Sequence, residues 1–283
     1  KIASIVGPSD IDSDENHIYS ELGFYYTQQG QAELLERSVL TNNGKRMTGD
    51  SLFYDRNRGI GEAFQNVEFV DTISKNMLTG DYCFYNQLTG YAFATDKAVA
   101  TDFSQGDSLF IHADTLQLYT FHVNTDSVYR EARAYHKVRF YRTDIQGVCD
   151  SLVFSSKDSC LTLYQDPILW NGKQQLLGEE IMVYMNDSTI DWAHIQNQAL
   201  SVEQLDSLNY NQVSGKDMKA YFEGGEMKQV DVDGSVRLVY FPMEKDSTLL
   251  GMNCSETSKL SMFLENRKLK KLAMSPKSNG TLY

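Results

Sequence analysis

With 283 residues and 41% hydrophobic composition the chain can bury a substantial core, which excludes disorder as its general state. A net charge of −12 excludes a nucleic-acid groove, which needs stripes of Lys and Arg to displace counterions, and does not suit an anionic membrane surface. Seventeen Tyr and 14 Phe against 4 Pro favour half-buried pleated strands over helices, so the chain reads as all-β.

No apolar run approaches the length of a membrane span. The first stretch, residues 1–17, reads as an acidic leader. Within it "DIDSDENHIYSE" (Asp10 to Glu21) begins like a calcium loop, but Glu15 stands at the sixth position, where the sharp turn needs Gly. The next segment, "GFYYTQQG" (Gly23 to Gly30), lacks the Lys and Pro that blunt a sheet edge; it reads as an open edge, the alternative being that the leader Lys1 to His17 folds over it.

From Met47 the chain states one pattern twice. "MTGDSLFYDRNRGIGEAF" is answered by "LTGDYCFYNQLTGYAFAT", with Gly49, Gly59 and Gly61 echoed by Gly80, Gly90 and Ala92. Weaker copies follow at Gln105 to Ile111, Val148 to Phe154, Gly178 to Tyr184, Gly215 to Phe222 and Thr257 to Phe263. Aligned in this way, the place of Leu52 holds Cys83, Leu109, Leu152, Ile181, Met218 and Leu260. The place of Tyr54 holds Tyr85, Ile111, Phe154, Val183, Ala220 and Met262. Two apolar columns one residue apart are the period-2 signature of a strand with one buried face. The column between them, which starts Phe53, Phe84, Phe110, turns polar in the last copies at Lys219 and Ser261 and is expected outside. Patches such as "DRNRG" and "NQLTG" end the leading strands as tight hairpins. The pattern breaks once, near residues 197–216, where a loop or short helix is expected. With no Pro- or Gly-rich linker, residues 18–283 read as a single repeat-built domain.

The chemistry sought along the chain is mostly absent. The five His fall in different repeats without ligand spacing, "GIG" at Gly59 to Gly61 precedes no helix pattern, and no nucleophile–base or paired-carboxylate arrangement stands out. Cys83, Cys149, Cys160 and Cys254 share no CxxC spacing and read as free, buried small hydrophobes. No catalytic residue, metal or cofactor is assigned. A carbohydrate-active β-solenoid and a structural or adhesive β-protein stay open beside a lipid-carrying protein.

The iterated "GDSLFYD" unit and the stretch "GKDMKAYFEGGEMKQVDVDGSVRLVYFPMEKDSTLLGMN" resemble the OstA-like (organic-solvent-tolerance) family, related to the periplasmic lipopolysaccharide-transport protein LptA, in a long form. That resemblance implies stacked antiparallel strands in two facing sheets, an open β-jelly-roll whose greasy interior takes acyl chains. It also implies a periplasmic location, lipopolysaccharide or another amphipathic lipid as ligand, and related jelly-roll proteins or further copies joined by end-to-end strand addition. The lipid-lining residues it points to are Leu52, Tyr54, Cys83, Tyr85, Leu109, Ile111, Leu152, Phe154, Ile181, Val183, Met218, Leu260 and Met262. On pattern alone the same rows read first as ordinary sandwich core.

Overall fold

The structure, a computed structural model, describes residues 1–12, 16–42, 44–104, 106–186, 189–224, 226–244, 248–265 and 268–283. The chain divides into two compact units, Lys1–Thr143 and Asp144–Tyr283. The first is an antiparallel meander in which each strand pairs with the next in sequence: β1 (Ile2–Asp12), β2 (Asn16–Tyr26), β3 (Gln31–Asn42), β4 (Lys45–Asp55), β5 (Ile60–Asp71), β6 (Asn76–Asn86), β7 (Tyr91–Asp102), β8 (Leu109–Phe121) and β9 (Tyr129–Tyr141). Several of its hairpins close on turns whose first side chain accepts from the backbone. Asp55 accepts from the N–H groups of Asn57 and Arg58, both at 3.0 Å, and Asn86 accepts from Leu88 at 2.9 Å and Thr89 at 3.2 Å. These side-chain mimics of a turn are the physical content of "DRNRG" and "NQLTG".

Every pairing in this unit slips by one residue near its middle. Between β4 and β5 the register runs from Ser51↔Phe64 to Thr48↔Glu68, so β5 carries one residue more than β4. The surplus sits in left-handed backbone: Gln65 and Asn66 (φ 56° and 51°) in β5, Asp96 and Lys97 (58° and 61°) in β7, His136 and Lys137 (60° and 54°) in β9. Such bulges bend the strand that carries them, and stacked in register they give a corner running through the unit. Opposite each bulge stands the small residue of the repeat, Gly49, Gly80 or Ala113, all buried. The acid beside it reaches the bulge: Asp50 accepts from Asn66 at 2.8 Å, Asp81 meets Lys97 at 2.7 Å and Asp114 meets Lys137 at 3.2 Å.

The second unit repeats this plan with β10 (Gln146–Ser155), β11 (Cys160–Tyr164), β12 (Ile168–Asn171), β13 (Gln174–Leu177), β14 (Glu180–Asn186), β15 (Thr189–Gln204), β16 (Tyr210–Glu223), β17 (Glu226–Tyr240), β18 (Asn253–Glu265) and β19 (Lys268–Leu282). Here β11 and β12 are two halves of one bent strand beside β10, parted by left-handed Gln165 and Asp166 and by Pro167. The halves β13 and β14 part at Gly178 and both pair with β15, after which β15 to β19 continue the meander.

Stacked antiparallel strands in an all-β chain are therefore what the sequence led one to expect, with four differences. The acidic leader is β1 and the start of β2, with Glu15 outside the described residues. The expected open edge at Gly23 to Gly30 is covered, because β1 pairs with β2 from Ile2↔Tyr26 to Asp12↔His17. The interruption near 197–216 is a turn between two long strands, β15 and β16. Where one continuous domain was expected, the chain forms two units. The cause of the second difference is that the short apolar-rich run Ile2 to Val6 forms a strand although the charged stretch after it reads as a solvated tail.

Candidate functional site

The columns of the repeat become rows across the strands. In the first unit Leu34, Leu52, Ala63, Cys83, Ala94, Leu116 and Ala134 stand opposite one another in turn from β3 to β9, and all are buried. In the second unit the same row reads Leu152, Leu163, Ile181, Ile195, Met218, Val232 and Leu260, also buried throughout. These rows are the hydrophobic floor beside the corner.

Two residues further along each strand, on the same face by the alternation of side chains, the first unit differs sharply from its own floor. The row reads Tyr25, Ala32, Tyr54, Gly61, Tyr85, Ala92, Leu118, Ala132. Whereas Leu52 is 7% exposed, Tyr25, Tyr54, Tyr85 and Leu118 are 39%, 43%, 44% and 36% exposed. Large side chains aligned on the floor's own face thus stay partly open to solvent, forming a wall that the unit covers only in part. Beyond the corner, Met47, Phe69, Leu78, Ala100 and Ile111 make a further wholly apolar row, half-buried, that ends on buried Phe140. The second unit's counterpart of the tyrosine row runs Phe154, Leu161, Val183, Ala193, Ala220, Val230 and Met262, with Ala193, Ala220 and Val230 buried.

The structure thus puts Leu52, Cys83, Leu152, Ile181, Met218 and Leu260 in the floor, and Tyr54, Tyr85, Phe154, Val183 and Met262 in the next row. Leu109 and Ile111 do not join them. Leu109 faces Asp102 and Ile111 faces Ala100 on the other side of the corner, and the counterparts of Leu52 and Tyr54 in β8 are Leu116 and Leu118. The true third copy is "ADTLQLY", Ala113 to Tyr119; the copy read from Gln105, itself outside the described residues, is a closer match in letters but falls at the hairpin before β8. Position in the strand was the available signal. In β4 and β6 the residues Lys45–Thr48 and Asn76–Thr79 precede the corner glycine, and a corner at Gly106 leaves no room for them. Tyr25, Leu118, Met47, Phe69 and Leu78 were missed for the same reason, since only strand pairing lines them up.

The opposite face is polar and aromatic. Phe53 lies between Glu33 and Glu62, and Phe84 also faces Glu62. Rings there stitch neighbouring strands, as in Phe64–Tyr82 at 5.1 Å, Tyr91–Tyr119 at 4.9 Å and Tyr184–Trp192 at 4.1 Å. Burial, helped by a 2.8 Å hydrogen bond to Glu62, pushes the Tyr82 phenol up to about 12. At the corner ridge Gln65, Asn66, Asp81, Asp96 and Lys97 line a shallow polar hollow. Among the described residues no three His, Cys, Asp or Glu side chains gather as a metal site. All four cysteines are free, and burial pushes Cys83 to about 11 and Cys149 to about 12, so both stay protonated and unreactive at neutral pH. Among the described residues no helix is long and apolar enough to cross a membrane. The feature with chemical potential is the open apolar wall.

Residues 11–103, about a third of the chain, are similar to the family described as OstA-like protein, and that span holds Tyr25, Tyr54 and Tyr85. No curated protein matches the chain.

Proposed function

We propose that this OstA-like chain is a non-catalytic periplasmic carrier of amphipathic lipid, lipopolysaccharide in the first place, on its way to the outer membrane. The observation that carries the reading is the row of Tyr25, Tyr54, Tyr85 and Leu118, exposed on the same face as a buried floor. A protein stable by itself gains nothing from such a wall, whereas an acyl chain laid on it would bury apolar surface worth about 25 cal/mol per Å². With both ligand and protein anionic, burial and not charge has to supply the affinity. An adhesive or structural role would not require an open apolar interior.

End-to-end assembly is the second part of the proposal. Within the first unit β1 hydrogen-bonds on one side, to β2, and within the second β19 does so on one side, to β18. Both carry a proline at the corner, Pro8 and Pro276, where strand hydrogen bonding is already interrupted. The straight halves of each edge keep donors and acceptors for a strand of a related jelly-roll protein or of another copy.

The test is photo-crosslinking to lipopolysaccharide with benzoylphenylalanine at position 54 or 85. A crosslink is expected from both, abolished by Tyr85→Asp in the position-54 protein, and indifferent to salt. Absence of any crosslink, or binding that falls steeply with salt, would overturn the carrier reading. For assembly, proline at Ser4 and Ile11 is expected to reduce light-scattering evidence of complexes with copies or OstA-like partners.

A further inference from the structure

The tyrosine row is not a uniform wall. Its large residues sit on alternate strands, and each neighbour between them is an alanine or a glycine: Ala32 between Tyr25 and Tyr54, Gly61 between Tyr54 and Tyr85, Ala92 between Tyr85 and Leu118. Teeth two strands apart stand about 9.5 Å from each other. With the width of the tooth side chains taken from that spacing, the gap has room for one polymethylene chain and not for two side by side.

Gly61 is the residue that shows these gaps are kept open. It lies inside β5 with no left-handed backbone angle, so its conformation does not demand glycine. Nor does packing, since a Cβ built on it meets nothing within 4 Å. Glycine weakens a strand relative to alanine, and here neither strain nor crowding offsets that cost. The corner glycines are different, because a Cβ on Gly178 or Gly215 would come within 2.5 Å of a neighbouring side chain. Among the described residues the teeth Tyr25, Tyr54 and Tyr85 stack on no other ring.

We infer that the first unit holds acyl chains as a comb, one chain per gap, each lying along the strand of Ala32, Gly61 or Ala92 between flanking teeth. The second unit has no such alternation; its row places Ala193 beside Ala220 with both buried, while Phe154, Leu161, Val183 and Met262 are half-buried. This rests on the carrier reading and locates the acyl contacts within it: the side chains that meet lipid are the row of Tyr54 and Tyr85, not the floor of Leu52 and Cys83.

Filling the deepest gap tests it. A dansyl-labelled fatty acid titrated into the full chain is expected to bind the native protein. It should bind Gly61→Leu at least tenfold more weakly while circular dichroism and melting temperature hold. Should Gly61→Leu fail to fold, Gly61→Ala, which the empty space accommodates, is expected to weaken binding two- to threefold without loss of melting temperature. Equal binding by native and gap-filled proteins would overturn the comb and leave the carrier reading standing. A native protein that binds no fatty acid or lipopolysaccharide would overturn both.

Discussion

Lys97 Nζ lies 2.7 Å from Asp81 Oδ2 across the β6–β7 corner, while the backbone of Lys97 itself holds a φ of 61°. Two terms therefore oppose each other at one residue. A left-handed non-glycine residue costs about 1–2 kcal/mol, and a fully exposed ion pair, screened by water, returns less than that. The backbone term wins. Lys97→Gly is expected to leave stability unchanged or raise it by up to about 1 kcal/mol, and Lys97→Val to lower it by about 1–3 kcal/mol. Urea midpoints at constant slope decide; an equal loss in both variants would mean that the corner depends on the ion pair.

The corner glycines predict a contrast with Gly61. A Cβ at Gly215 would stand 2.5 Å from Val232 Cγ1 and 3.0 Å from the Asp233 carbonyl oxygen. Gly215→Ala should cost about 1–3 kcal/mol through overpacking, whereas Gly61→Ala should gain about 0.5–1 kcal/mol. Thermal melts of the two single variants check both signs.

Turn carboxylates set the acid limb of stability. The hydrogen bond from Gln31, with those from the Arg58 and Asn57 N–H groups, holds Asp55 below the usual carboxylate range. The Ser74 N–H, aided by that of Ile73, does the same for Asp71. A folded-state value below the unfolded one means stability that is present above about pH 4 and lost as pH falls through the folded value. Asn86 makes the same kind of turn without a charge, so Asp55→Asn with Asp71→Asn is expected to keep the hairpins and flatten the loss of stability below pH 4. Urea midpoints taken downward from neutral pH measure it; an unchanged acid limb would place the sensitivity elsewhere.

His194 supplies a second pH window. Burial, with Lys219 adding to it, lowers its value against the opposing pull of Asp217, whose Oδ1 is 3.7 Å from the buried, unbonded Nε2. The unfolded chain then takes up a proton near pH 6.5 that the folded one refuses, so stability is full above pH 6.5 and declines as pH drops from there toward the folded value. His194→Gln should remove that decline, as seen in melting temperatures between about pH 7 and 5. A slope that persists in the variant would exclude His194 as its source.

What the sequence determined by itself is what neighbouring residues decide among themselves. Alternation around Leu52 and Tyr54 made strands, Asp and Asn before a glycine made hairpins, and the recurring small residue, acid and leucine marked a unit that must stack to bury its face. Tertiary structure alone decided which of two same-face residues is covered. Leu52 lies beside the corner, where the bent strands close over it, and Tyr54 lies one step beyond, where they do not. It also decided that Leu116 and not Leu109 completes the row, because a row is set by hydrogen-bonded pairing across strands, and a bulge shifts that pairing without altering the letters of either strand. Alternation is a property of one backbone; exposure and register belong to the strands that pack against it.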